Sequence, residues 1–198
     1  MISTRLFLTL STGFVMLTTG LPPLQANPAE AQARLKGAVE EVLRVADRAP
    51  SKAALPNLVR PVLNKHISFS TMTRRAVGPG WSKFSAAQQA QAVQLFSQLI
   101  VRTYSDKFTP GEHPVITYKA AVTPAAGRVD VPTSMVYKGS RYAVIYRMEQ
   151  AEGWKITDVV IEGVSMVANY RTQLGAQYNK GGAQAVINSL NQSVSRPK

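Results

Sequence analysis

The sequence predicts an α+β single domain: helices wrapped around a roughly four-stranded antiparallel sheet. Two observations carry the prediction. Apolar residues recur every three to four positions as far as about Phe108, then every two positions from Pro114 to about Val160. Helical spacing returns from Val164 onward. Helices, then a sheet, then helices is an α+β order, and no linker, repeat or low-complexity run marks a second domain.

Each element has a local reason. Asn27 can cap a helix with Pro28 in its first turn and Leu35, Val39, Val42 and Ala46 on one face, ending near Ala49-Pro50. Ser51 opens a second helix carrying Leu55, Leu58, Val59, Val62 and Leu63, with Pro61 predicting a kink or a break. Ser68 caps a short third helix with Phe69, Met72, Ala76 and Val77, stopped by Gly78-Pro79-Gly80. Ser85-Ala86-Ala87-Gln88 is a capping box for the longest helix, whose apolar face runs through Val93, Phe96, Leu99, Ile100, Val101, Tyr104 and Phe108. Strands follow: Val115 to Ala120; Val129, Val131, Thr133, Met135 and Tyr137; Tyr142, Val144, Tyr146 and Met148 after a Lys138-Gly139-Ser140 turn; and Trp154, Ile156, Asp158 and Val160 after Glu152-Gly153. Two helices close the chain, at 164–179 and at 183–192 after Gly181-Gly182.

The first 26 residues predict a leader. One basic residue, Arg5, precedes a soft apolar run from Leu6 to Leu21, and Pro22-Pro23-Leu24-Gln25-Ala26 offers a small-residue cleavage site at Ala26. The run is about 16 residues, short of the ~20 a spanning helix needs. An exported chain without cysteine fits a bacterial periplasm.

The composition narrows the function. Zero cysteines exclude thiolate metal sites and cysteine nucleophiles, and the two histidines, His66 and His113, are too far apart in sequence for a histidine-rich metal motif. The net charge is +12, and no acidic residue lies between Asp47 and Asp106, a stretch with eight Lys and Arg. Such a field attracts anions. Export and the lack of interleaved aromatic and basic motifs argue for lipid headgroups or acidic proteins over nucleic acid. There is no Gly-rich phosphate loop, nucleophile elbow or paired-carboxylate motif. His66 reads as a helix-end residue, and Asp158 with Glu162 as strand-edge residues rather than an acid–base pair.

One run is specific. Val160-Ile161-Glu162-Gly163-Val164-Ser165-Met166-Val167-Ala168-Asn169-Tyr170-Arg171-Thr172-Gln173-Leu174 resembles the signature of the MlaC family, the toluene-tolerance periplasmic phospholipid-binding proteins that serve an ABC transporter. Trp154-Lys155-Ile156-Thr157-Asp158, Gly181-Gly182 with Val186 to Leu190, and Ser68 to Met72 running on to Val77-Gly78 and Trp81 fit the same family. Two positions depart from it: family members often have Asp in place of Ser68, and a basic–aromatic pair in place of Pro79-Gly80.

The resemblance implies an NTF2-like cone that carries phospholipid between an outer-membrane lipoprotein–porin complex and an inner-membrane MCE-domain ABC transporter. It implies a role in outer-membrane lipid asymmetry, no cofactor and no catalysis. Under it the helices line the lipid pocket with Leu58, Val62, Phe69, Met72, Phe96, Leu99, Ile100 and Tyr104. The sheet adds Met135, Val144, Tyr146, Ile156 and Val160, and the last helices add Val164, Val167 and Leu174. Arg74, Arg75, Arg147 and Arg171 are the candidates for headgroup binding or docking. The alternatives are a carrier of another bulky lipid, such as a hopanoid, and a small periplasmic hydrolase.

Overall fold

The computed structural model describes residues 27–196, so the expected leader and its cleavage site near Ala26 lie outside the described residues. The chain forms α1 (Pro28–Ala46), α2 (Leu55–His66), α3 (Phe69–Val77), a 3-10 turn (Gly78–Lys83) and α4 (Ala86–Ser105). Six strands follow: β1 (Val115–Tyr118), β2 (Val122–Ala125), β3 (Arg128–Tyr137), β4 (Ser140–Ala151), β5 (Gly153–Ile161) and β6 (Val164–Ser165). α5 (Met166–Ser195) ends the chain. The α+β architecture and the antiparallel meander of the long strands are as the periodicity predicts.

The helix starts are chemically specified. The Asn27 side chain accepts from the Ala29 and Glu30 amides at 3.1 and 3.2 Å. Ser85 and Gln88 form the reciprocal capping box, with bonds of 2.9 and 3.2 Å. Pro61 does not break α2: the helix runs through it, held by burial of Leu55 and Val59 on the face toward the core. α5 is two helical segments, because Gly181 and Gly182 leave helical geometry and Gly182 sits at φ +62°.

The sheet order is β1-β3-β4-β5-β6, antiparallel throughout. β2 pairs with β3 as well, so β1 and β2 share one flank of β3: β1 covers Thr133–Val136 and β2 covers Arg128–Asp130. β2 and β6 were not expected from the sequence. Each is too short to establish a period, and β2 is broken by Pro124.

A bulge decides which side chains face which way. Met148 pairs with Ile156, but its neighbour Arg147 pairs with Asp158, leaving Thr157 as the extra residue in β5. Strict alternation would place Trp154, Ile156, Asp158 and Val160 on one face. The bulge turns Asp158 and Val160 to the opposite face and brings Val159 and Ile161 round in their stead.

Two apolar clusters hold the layers. Ala31 and Leu35 of α1 pack on Val129, Val131, Met148, Trp154 and Ile156. The larger cluster joins α2, α3, α4 and α5 through Phe69, Met72, Phe96, Val101, Leu174, Ile187 and their neighbours. Between sheet and helices, the Ser68 amide donates to the Ile156 carbonyl at 2.9 Å. Asp158, 5% exposed, is the main polar bolt. It accepts from Arg147 at 3.0 Å, the Ser165 hydroxyl at 2.6 Å and the Val167 amide at 3.1 Å, tying β4, β5 and the start of α5. Removing one partner of a buried pair costs about 3–5 kcal/mol. Asp158→Ala should therefore lower the urea-unfolding free energy by about that amount, whereas Glu162→Ala should cost less than about 1 kcal/mol.

Candidate functional site

The inner sheet face and the helices do not meet everywhere. Between them lies a cavity of about 270 Å³. α1 contributes Leu35, Val39 and Val42, and α2 contributes Leu55, Val59 and Leu63. Ile100, Val101 and Tyr104 come from α4, and Ile116, Met135, Val144, Tyr146, Ile156, Val159 and Ile161 from the sheet. The walls are almost wholly hydrocarbon and aromatic.

Its opening is marked by exposed lining residues. Asp47, Gly111, Glu112 and His113 line the cavity and are exposed, while Val59, Phe69, Ile100, Val144 and Met166 line it and are buried. The mouth thus lies where α1 and α4 end and the segment before β1 begins. Its rim is polar and braced. His113 Nε2 is 2.6 Å from Asp47 Oδ1, and Lys138 Nζ is 2.9 Å from Glu112 Oε2. The Tyr137 hydroxyl donates to Glu112 at 3.1 Å. The interior is apolar. Burial pushes the Tyr146 hydroxyl up to about 12, and raises Tyr104 in the same way.

Seven of the residues expected at the pocket line this cavity: Phe69, Ile100, Tyr104, Met135, Val144, Tyr146 and Ile156. Nine do not. Met72, Phe96, Val167 and Leu174 are packed in the helical core, Phe96 edge-on to Tyr170 with ring centroids 5.1 Å apart. Leu99 is half-buried against the same core. On α2 the inward stripe is Leu55, Val59 and Leu63, which turns Leu58 outward (38% exposed) and leaves Val62 half-buried off the cavity. Val160 is turned away by the bulge, and Val164, on β6, is 61% exposed. The missed wall is α1, whose Leu35, Val39 and Val42 stripe was visible as a helix but could not be assigned a partner face.

The four arginines lie away from the mouth. Arg75 pairs with Glu149 at 2.8 Å, and Arg147 is bonded to Asp158 on the outer sheet face. Arg74 and Arg171 are exposed on α3 and α5, with Arg171 over Gly78. None of them lines the cavity.

A wider groove of about 960 Å³ crosses the outer surface beside α2 and α4. Arg60, Asn64, Ser68, Gln94, Gln98 and Lys155 line it, so it is open and wet. The smaller apolar cavity is the better candidate, because its largely hydrocarbon lining offers an acyl chain a refuge from water.

Comparison with known proteins gives this cavity a family. The model of the MlaC protein family matches residues 36–192, most of the chain. The chain belongs to the MlaC family. Among solved structures it is similar to a phospholipid-binding protein from Ralstonia solanacearum, determined in complex with a phospholipid. The two share 27% identity over 84% of this chain and 97% of that one, with a TM-score of 0.76. No curated protein matches the chain in sequence. In this MlaC chain the mixed helix-and-sheet architecture and the open antiparallel sheet match the fold of that relative.

The MlaC chain also latches α1 onto α2. Glu41 on α1 lies 2.7 Å from His66 Nε2 and 2.9 Å from Lys65 Nζ. His66, read from sequence as a helix-end residue, is the last residue of α2 and only 7% exposed. Hydrogen bonds from His66 and Lys65 lower the Glu41 carboxyl from its ordinary 4.5 to about 2. A carboxyl lowered by folding adds stability above its unfolded pKa, and that stability disappears as pH falls through the folded one. Glu41→Gln should therefore be less stable than the parent at neutral pH. The gap should close between about pH 4.5 and pH 2 in acid-unfolding curves.

Proposed function

We propose that this protein is a periplasmic phospholipid carrier. It shuttles lipid between an outer-membrane lipoprotein–porin complex and an inner-membrane MCE-domain ABC transporter, and so supports outer-membrane lipid asymmetry. The observation that carries the reading is the apolar cavity with a polar mouth, in a chain of the MlaC family. The phospholipid bound by the Ralstonia solanacearum relative supports the same cargo class.

The physics of the task fits. Two acyl chains with about 30 methylenes cost about 24 kcal/mol to pass through water at ~0.8 kcal/mol each. A carrier must offset most of that with a dry chamber. It needs few directed polar contacts, because the headgroup stays wet at the mouth. The cavity is just below the usual ~300–1,000 Å³ of ligand pockets. A diacyl cargo therefore widens the gap between α1 and the sheet as it enters. α1 is suited to yield: its wall contacts are non-directional hydrocarbon, and its Asp47–His113 latch is solvent-accessible at the rim.

Solvent extraction and mass spectrometry of the purified protein should return phospholipid. Met135→Trp should block the chamber, since Met135 is half-buried on the wall and not in either closed core cluster. Losing room for about two methylenes should reduce lipid uptake from vesicles roughly tenfold, with circular dichroism unchanged. A parent protein that is lipid-free as isolated, and takes up none from vesicles, removes the carrier reading.

A further inference from the structure

The charges of this molecule are segregated by layer. Residues 48–105 and 163–196 hold eleven Lys and Arg and not one Asp or Glu. Those stretches are α2, α3, the 3-10 turn, α4 and α5, which pack into one helical layer. The remainder of residues 27–196, meaning α1, the sheet and their loops, holds ten basic and eleven acidic residues and is almost neutral. The net positive charge therefore belongs to the helical layer alone.

Part of that charge is used internally. Lys65 and Arg75 reach back to Glu41 and Glu149, and Arg102 donates to the carbonyls of Val194 and Arg196. Arg48, Lys52, Arg74, Lys83, Arg171 and Lys180 are exposed and have no carboxylate partner. They come from the α1–α2 connection, α3, the 3-10 turn and α5, and none of them lines the apolar cavity. Trp81, half-buried on the 3-10 turn, lies in sequence between Arg74 and Lys83.

We propose that the outer face of this helical layer seats the protein on a bilayer whose surface carries anionic headgroups. Unpaired cations drawn from four separate segments suit a mobile lattice of single negative charges, whereas a folded acidic partner is met by cations converging on its shape. An amphipathic ring such as Trp81 settles at a headgroup boundary. α4 runs about 30 Å along the layer toward the mouth. Arg48 and Lys52 carry the face to that same edge, between Asp47 and Leu55, which both line the cavity. Seated this way, the protein holds its mouth at headgroup level. The inference stands on charge placement and is independent of what fills the cavity.

Co-sedimentation of the purified protein with vesicles tests it. Vesicles of phosphatidylcholine alone are compared with vesicles containing about one third phosphatidylglycerol, at low salt and at about 0.5 M salt. The protein should bind only the anionic vesicles, and only at low salt. A Lys52→Glu, Lys83→Glu, Lys180→Glu triple variant should lose that binding by more than about tenfold. An Arg34→Glu, Lys36→Glu, Lys119→Glu control makes the same charge change on α1 and the sheet side and should stay within about threefold of the parent. Circular dichroism and extracted lipid report that each variant is folded and loaded. Equal loss in both variants, equal binding to neutral vesicles, or capture by immobilised polyglutamate without any vesicle binding would each overturn the proposal.

Discussion

One extra residue in β5 governs the chemistry of the chamber. If β5 alternated without interruption, Asp158 would follow Trp154 and Ile156 onto the inner face and place a carboxylate in a hydrocarbon wall. That burial is expensive for a charged group without partners. The bulge at Thr157 sends Asp158 outward, where Arg147, Ser165 and the Val167 amide satisfy it. It also delivers Val159 and Ile161 to the cavity in its place. The same irregularity thus keeps the chamber dry and provides the anchor that positions α5. A regular strand could do one or the other.

The helices divide into two roles. α3 and α5, with the inner faces of α4, form a closed core whose side chains fill their space, as Phe96 against Tyr170 illustrates. α1 and α2 also have apolar stripes, but toward the sheet these meet a gap. α1 is held to the sheet by a small cluster of contacts, to the segment before β1 by Asp47 meeting His113, and to α2 by Glu41 meeting His66 and Lys65. Both histidines of the chain are used for this purpose. A solid core and a yielding wall can therefore coexist in one small domain.

Much of this was legible in the residues, and the failures are instructive. Element order, the caps at Asn27, Ser68 and Ser85, and the glycine break in α5 follow from local chemistry, which a sequence states directly. The strand faces were legible up to Thr157 and wrong beyond it, because a bulge leaves no trace in an alternating pattern. Pocket membership was legible for Ile100, Met135 and Tyr146 but not for Phe96 or Leu174. Periodicity identifies the buried stripe of a helix and is silent on whether that stripe meets a neighbour or a void. The arginines divide: Arg75 and Arg147 have long-range carboxylate partners that no local rule could supply, whereas Arg74 and Arg171 stay exposed.

Arg102 fastens the carboxyl end of the chain by donating to the carbonyls of Val194 and Arg196. Arg102 stands one turn before Ser105, which borders the chamber. A fluorophore, affinity handle or surface tether attached at Arg196 would accordingly sit beside the doorway and crowd whatever passes through it. Attachment sites on the β4–β5 turn are the safer choice for reporters of cargo exchange.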